Sequence, residues 1–193
     1  MAEGIESSFK NMVLTLFIVA LVAATSLAYV FEITKEPIAK AKLEKKKAAI
    51  GEVVPTFDSD PIKDMFKVAI SEDDSLECYP ASKAGELVGI AIKTNTKLGF
   101  SGEFWIMVGF NKEGIIHNIS VLEHKETPGL GDKMEKKKSD WSNQFNGKSP
   151  GEKGLSVKKD GGEIDAITAS TISSRAFCDA VNRAYKAYTQ GKK

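Results

Sequence analysis

Two cysteines, two histidines and an aromatic share of 8% leave this 193-residue chain short of the side chains that build metal centres and base-stacking surfaces. Cys78 and Cys178 lie far apart without metal-ligand spacing, and His117 and His124 share none either, so no metal site is expected. Cys178 falls on the apolar side of the last predicted helix, which favours a buried thiol; a disulfide to Cys78 stays open at this point. Charge of one sign is missing too. The 27 Lys and Arg against 26 Asp and Glu, net +1, give no ground for nucleic-acid binding. The runs Lys45-Lys46-Lys47 and Lys136-Lys137-Lys138 are short and lack interleaved aromatics, so they read as solvated faces. No repeat, no low-complexity tract, no nucleophile–histidine–acid set and no carboxylate pair at catalytic spacing is visible. Independent catalysis is therefore not expected.

What the chain does have is one long apolar run. Asn11 to Phe31 carries no charge between Lys10 and Glu32. At 1.5 Å per residue it spans roughly 30 Å, the thickness of a bilayer core. The apolar core of a signal peptide is shorter, about 7–15 residues, and here the run continues past Ala23-Ala24-Thr25-Ser26 through Val30 and Phe31. The reading is an uncleaved anchor: tail 1–10, transmembrane helix 11–32, linker helix and loop 33–60, then a domain over 61–193. Lys35, Lys40, Lys42, Lys45, Lys46 and Lys47 follow the span and only Lys10 precedes it, which by charge alone puts the domain in the cytoplasm.

Beyond the span, Thr34–Ile50 is rich in Lys, Glu and Ala and predicts a helix, with Pro37 expected to kink it if continuous. Short strands are predicted at 65–70 and 76–79, a clearer one at 87–93, and two more at 102–110 and 114–123 around the turn Asn111-Lys112-Glu113-Gly114. Hairpin spacing argues for an antiparallel sheet with flanking helices, hence α+β.

The most informative stretch is Asp165-Ala166-Ile167-Thr168-Ala169-Ser170-Thr171. Behind it Ile172, Ala176, Phe177, Ala180, Val181, Ala184 and Tyr188 recur at helical spacing. Small hydroxyl residues at a helix start cap free backbone amides, and those amides with the helix dipole also make an anion site. From the residues alone an ordinary capped helix is the other reading.

Asp165-x-x-Thr168-Ala169-Ser170-Thr171 resembles the flavin-attachment motif of FMN-binding domains, Asp-x-x-(Ser/Thr)-Gly-Ala-Thr. In that family a transferase esterifies the phosphate of FMN to the final threonine, here Thr171. Ala169 replaces the usual glycine and Ser170 the usual alanine, which makes Ser170 a second candidate acceptor. A phosphodiester on Thr171 would gain about 0.3–1 kcal/mol from the helix N-terminus. With Gly99-Phe100-Ser101-Gly102, the turn His124-Lys125-Glu126-Thr127-Pro128-Gly129-Leu130-Gly131 and the Trp141/Phe145 segment in the same order, the whole chain resembles the RnfG family. These are the membrane-anchored flavoprotein subunits of Rnf ion-translocating electron-transport complexes, related to NqrC of the sodium-pumping NADH:quinone reductases.

The resemblance implies covalent FMN and electron relay within a ferredoxin:NAD⁺ oxidoreductase. Its implied partners are other membrane subunits, an FMN transferase for maturation and the lipid bilayer. It also implies an inner-membrane location with the domain on the extracytoplasmic side, against the lysine count. Thr127, Gly129 and Leu130 are expected against the isoalloxazine ring, with the Gly129 and Gly131 amides at its carbonyl edge. Lys158 or Lys159 is expected near the reduced ring, Thr168 and Ser170 around the phosphate, and Asp165 as a recognition or capping residue. A quinone-linked or regulatory FMN-binding membrane protein, and a non-redox anchored binding domain, are the alternatives.

Overall fold

The computed structural model describes residues 8–72 and 74–191. Most of the expected N-terminal tail, residues 1–7, lies outside the described residues. The chain divides into two units, residues 1–44 and 45–193.

Helix α1 (Phe9–Val53) contains the uncharged run and is long and apolar enough to cross a membrane. Two of its hydroxyls are satisfied within the helix. Thr25 Oγ1 donates to the Leu21 carbonyl at 2.6 Å and Thr34 Oγ1 to that of Val30 at 2.7 Å, so neither needs water. The helix is continuous through Pro37. A single missing N–H removes one bond, to the Ile33 carbonyl, and the neighbouring turns hold the helix together.

The second unit is built on a five-stranded antiparallel meander: β1 (Phe66–Ser71), β2 (Asp74–Lys83), β3 (Glu86–Gly99), β4 (Gly102–Asn111) and β5 (Ile116–Glu123), in sequential order. Two strands are longer than their sequence signal. β2 runs through Pro80, which lies beyond the last β1 pair, Phe66↔Cys78, where the strand has a neighbour on one side only and proline is tolerated. β3 runs on through the polar Thr94-Asn95-Thr96 because its buried hydroxyls find partners: Thr94 Oγ1 donates to the Ala180 carbonyl at 3.1 Å, and Thr96 Oγ1 to Asp179 at 2.7 Å. Both acceptors belong to α2 (Thr171–Gly191).

Each face of the sheet buries its own apolar layer. One is covered by α2, whose Phe177, Ala180, Val181 and Ala184 pack on Ile92, Ile106, Val108 and Phe110. Trp141, Phe145, Phe104 and Phe177 form an aromatic cluster there, with ring centroids 5.1–6.3 Å apart. The other face takes Ala49, Ile50, Val53 and Val54 onto Tyr79, Ala81, Ala91 and Met107. The compact unit therefore begins at Lys45, within the stretch read from sequence as linker.

Both cysteines are free and buried. Burial pushes each thiol up to about 12.

Candidate functional site

The start of α2 is a short, tightly held piece of backbone. The Ser174 amide donates to the Ser170 carbonyl at 3.1 Å, which makes Ser170 the cap and Thr171 the first helical residue. Just before it, the Ser170 amide closes a turn onto the Ile167 carbonyl at 2.9 Å. Ala169 sits in that turn at φ +60°, in the left-handed region, so the turn geometry itself favours the glycine found here in FMN-binding domains. Ser174 Oγ latches the turn from beneath, accepting from the Ile167 amide and donating to the Ser170 carbonyl, each at 2.9 Å. Further back, the Asp165 amide donates to Gln144 Oε1 at 2.8 Å, and its carbonyl accepts from Trp141 Nε1 at 2.5 Å. The Trp141–Phe145 segment thus fixes the entry to the motif.

Charges around this mouth are sorted by short bonds. The Lys158 ammonium lies 2.8 Å from the Asp165 carboxylate, and both are exposed. Its neighbour Lys159 points the other way, with Nζ 3.3 Å from Thr171 Oγ1. Arg175, one turn into the helix, makes a two-pronged pair with Asp160 at 2.6 and 2.7 Å. That hydrogen-bonded guanidinium holds the Asp160 carboxyl below the usual carboxylate range, while the carboxylate raises the arginine in turn.

Facing the helix mouth is a cleft of about 320 Å³ lined by Phe100, Glu126, Thr127, Leu130, Gly131 and residues 169–172. Its walls come from the β3–β4 hairpin tip, the segment after β5, and the start of α2. Thr127, Leu130, Gly131, Ser170 and Thr171 are brought together here. Gly129, Thr168, Asp165 and Lys158 are not among its lining residues. The Leu130 amide donates to the Thr127 carbonyl at 3.1 Å, with Pro128 and Gly129 (φ +78°) at the turn corners, so the turn aims Leu130 at the cleft.

Phe100, Glu126 and Ile172 line the cleft without having been singled out in sequence. Phe100 and Ile172 are exposed apolar side chains. Phe100 had a signal in its glycine-flanked hairpin position. Glu126 had none that set it apart from the other acids. It is 5% exposed, and its Oε1 accepts from the Ser101 amide at 3.1 Å. Its Oε2 accepts from Ser173 Oγ at 2.7 Å, and Ser173 Oγ lies 2.8 Å from Ser170 Oγ. Ser170 is itself only 8% exposed, whereas Thr171 is half-buried with its hydroxyl beside Lys159.

The lining fits a flavin mononucleotide. The volume lies at the small end of ligand clefts, which run from roughly 300 to 1,000 Å³. Apolar surface from Phe100, Leu130 and Ile172 suits a planar ring, and the helix mouth with Lys159 suits a phosphate. A Cβ on Gly131 would stand 2.5 Å from Glu126 Oε2 and 2.9 Å from Ser173 Oγ, so only glycine leaves this wall intact.

Residues 99–186 match the family of FMN-binding domains. Along its length the chain is similar to the G subunit of the ion-translocating oxidoreductase complex of Stutzerimonas stutzeri, 37% identical over 89% of this chain and 77% of the relative. The protein of the same name from Shewanella oneidensis is 34% identical over 90% and 87%. The G subunit of the Na(+)-translocating ferredoxin:NAD(+) oxidoreductase complex of Acetobacterium woodii is 36% identical over 91% and 89%.

Proposed function

The chain belongs to the family of ion-translocating oxidoreductase complex G subunits, and from that premise we propose that it carries FMN as a phosphodiester on Thr171 and relays electrons within an Rnf-type membrane complex. The observation that carries the attachment is the placement of Thr171 Oγ1, at the mouth of α2, on the rim of an FMN-sized cleft and 3.3 Å from the Lys159 ammonium. Thr171 is favoured over Ser170 as acceptor. Ser170 is nearly buried and its hydroxyl is tied to Ser173.

Flavin supplies reversible electron uptake, and the protein holds and tunes it. The unbonded amides of the first turn of α2 and the Lys159 ammonium neutralise the phosphate charge. Phe100, Leu130 and Ile172 give the ring apolar contact and exclude water, and Thr127 offers a hydroxyl at the same wall. Gly129 and Gly131 shape the backbone beside it, and Thr168 and Asp165 present an exposed motif to the modifying transferase. Lys158, engaged with Asp165, stiffens that motif.

The domains in this reading are a transmembrane helix over 11–32, a connecting segment beyond it and an FMN-binding domain, expected from sequence over 61–193, whose compact unit also takes in the stretch from Lys45. The chain is membrane-anchored through α1 and works with the other members of its complex. We place the domain on the extracytoplasmic side. A cofactor lost there has no pool to refill it, which gives a covalent tether its purpose. Ferredoxin and NAD⁺ as the terminal couple follow the name of the Acetobacterium woodii relative.

The test is expression of the full chain with an FMN transferase. The wild-type band should fluoresce under ultraviolet light after denaturing electrophoresis, with the FMN mass on the peptide containing Thr171. Thr171→Ala should be dark. An unmodified wild-type peptide, or fluorescence surviving in Thr171→Ala, overturns the assignment.

A further inference from the structure

Glu126 is a buried carboxylate with no cation in reach: among the described residues, no ion pair involves it. Burying an ionised carboxylate without a counter-ion is costly, and structures retain such groups where their charge has a use. Its two oxygens are held by neutral donors from opposite walls of the cleft, the Ser101 amide at the hairpin tip and the Ser173 hydroxyl in the first turn of α2. An ionised carboxylate only accepts. Ser173 therefore donates to Glu126, and Ser170 donates in turn to Ser173, so both hydroxyl protons point inward toward the carboxylate. The wall of the cleft thus carries a fixed negative charge that the Ser173 hydroxyl partly neutralises.

We propose that Glu126, through its own charge, partly neutralised by the Ser173 hydroxyl, lowers the reduction potential of the flavin held in this cleft. The inference rests on the proposed attachment of FMN at Thr171. An electron added in the cleft meets a negative charge that, among the described residues, no ion-paired cation neutralises, so the oxidised state is favoured.

The experiment is spectroelectrochemical titration of the flavinylated full chain in detergent, beside its thermal unfolding. Glu126→Gln keeps the size of the side chain and an acceptor for Ser101, removes the charge and reverses the hydroxyl chain, since the amide now donates to Ser173. Its potential should shift upward. Ser173→Ala keeps the charge and removes the donor that screens it, so its potential should shift downward with flavin loading retained. Opposite shifts support the inference, because lost packing alone has no reason to move the potential in two directions. No shift in either variant, or shifts of the same sign, overturns it, and if Glu126→Gln does not fold, the sign for Ser173→Ala decides. A wild-type protein without bound flavin would instead overturn the attachment itself.

Discussion

Ala169→Gly should make the protein more stable, although it removes a side-chain methyl. Ala169 occupies the left-handed region at φ +60°, which costs an L-residue about 1–2 kcal/mol. Glycine adopts that conformation freely, but its more mobile unfolded chain gives back about 0.4–1 kcal/mol. Ala169 is exposed, so little packing is lost with its methyl. The net gain is about 0.5–1 kcal/mol. For a unit of this size each kcal/mol moves Tm by roughly 2–4 °C, so a rise of about 1–4 °C is expected. Both tryptophans, Trp105 and Trp141, lie in the second unit, so intrinsic fluorescence of the detergent-solubilised full chain reports its unfolding. Variants should be compared in the same flavin-loading state. Ala169→Val supplies the mirror image, since a β-branched residue is worse than alanine at positive φ, and its Tm should fall. A glycine variant no more stable than wild type would refute the strain argument.

Two further outcomes follow from the packing. Gly109 lies in β4 directly under the last turn of α1, where an added Cβ would land on the Val53 carbonyl. Gly109→Ala should therefore cost on the order of 3 kcal/mol, read as a lower urea midpoint; an unchanged midpoint would show that the helix end is not seated on the sheet. Cys78 and Cys178 should resist a thiol reagent at pH 8 until the protein is denatured, since burial raises both to about 12 from an ordinary value of 9.0. Because the folded thiols hold their protons while unfolded ones ionise, stability should be untouched by them below about pH 9 and fall as pH rises from there toward 12. Rapid labelling of the native protein would contradict their burial.

The meander and α2 were legible because their patterns are strong. A continuous apolar run from Phe104 to Val108 marks β4, the Asn111–Gly114 turn leads into β5, and the 3.6-residue spacing from Ile172 to Tyr188 marks a helix. The far half of β3 was hidden because Thr94 and Thr96 are polar, and only their acceptors on α2, distant in sequence, make them core residues. A motif resemblance located the helix mouth but did not decide between adjacent lysines. Lys158 and Lys159 diverge because the short helical turn at Lys158–Asp160 sends one toward Asp165 and the other toward Thr171. Glu126 was invisible for a related reason. Its burial depends on Ser101 and Ser173, one upstream in the hairpin and the other 47 residues downstream.

The wall that presents Thr171 follows the whole meander along the chain. The meander pairs only sequence neighbours and has little reason to wait for α2, but the sheet face that α2 covers stays bare until Phe177 and Val181 arrive. A modifying enzyme that reads the assembled turn would then act on molecules whose α2 has docked and pass over those cut short before it. Attachment of the cofactor would double as an inspection stamp, marking which copies are fit to carry current.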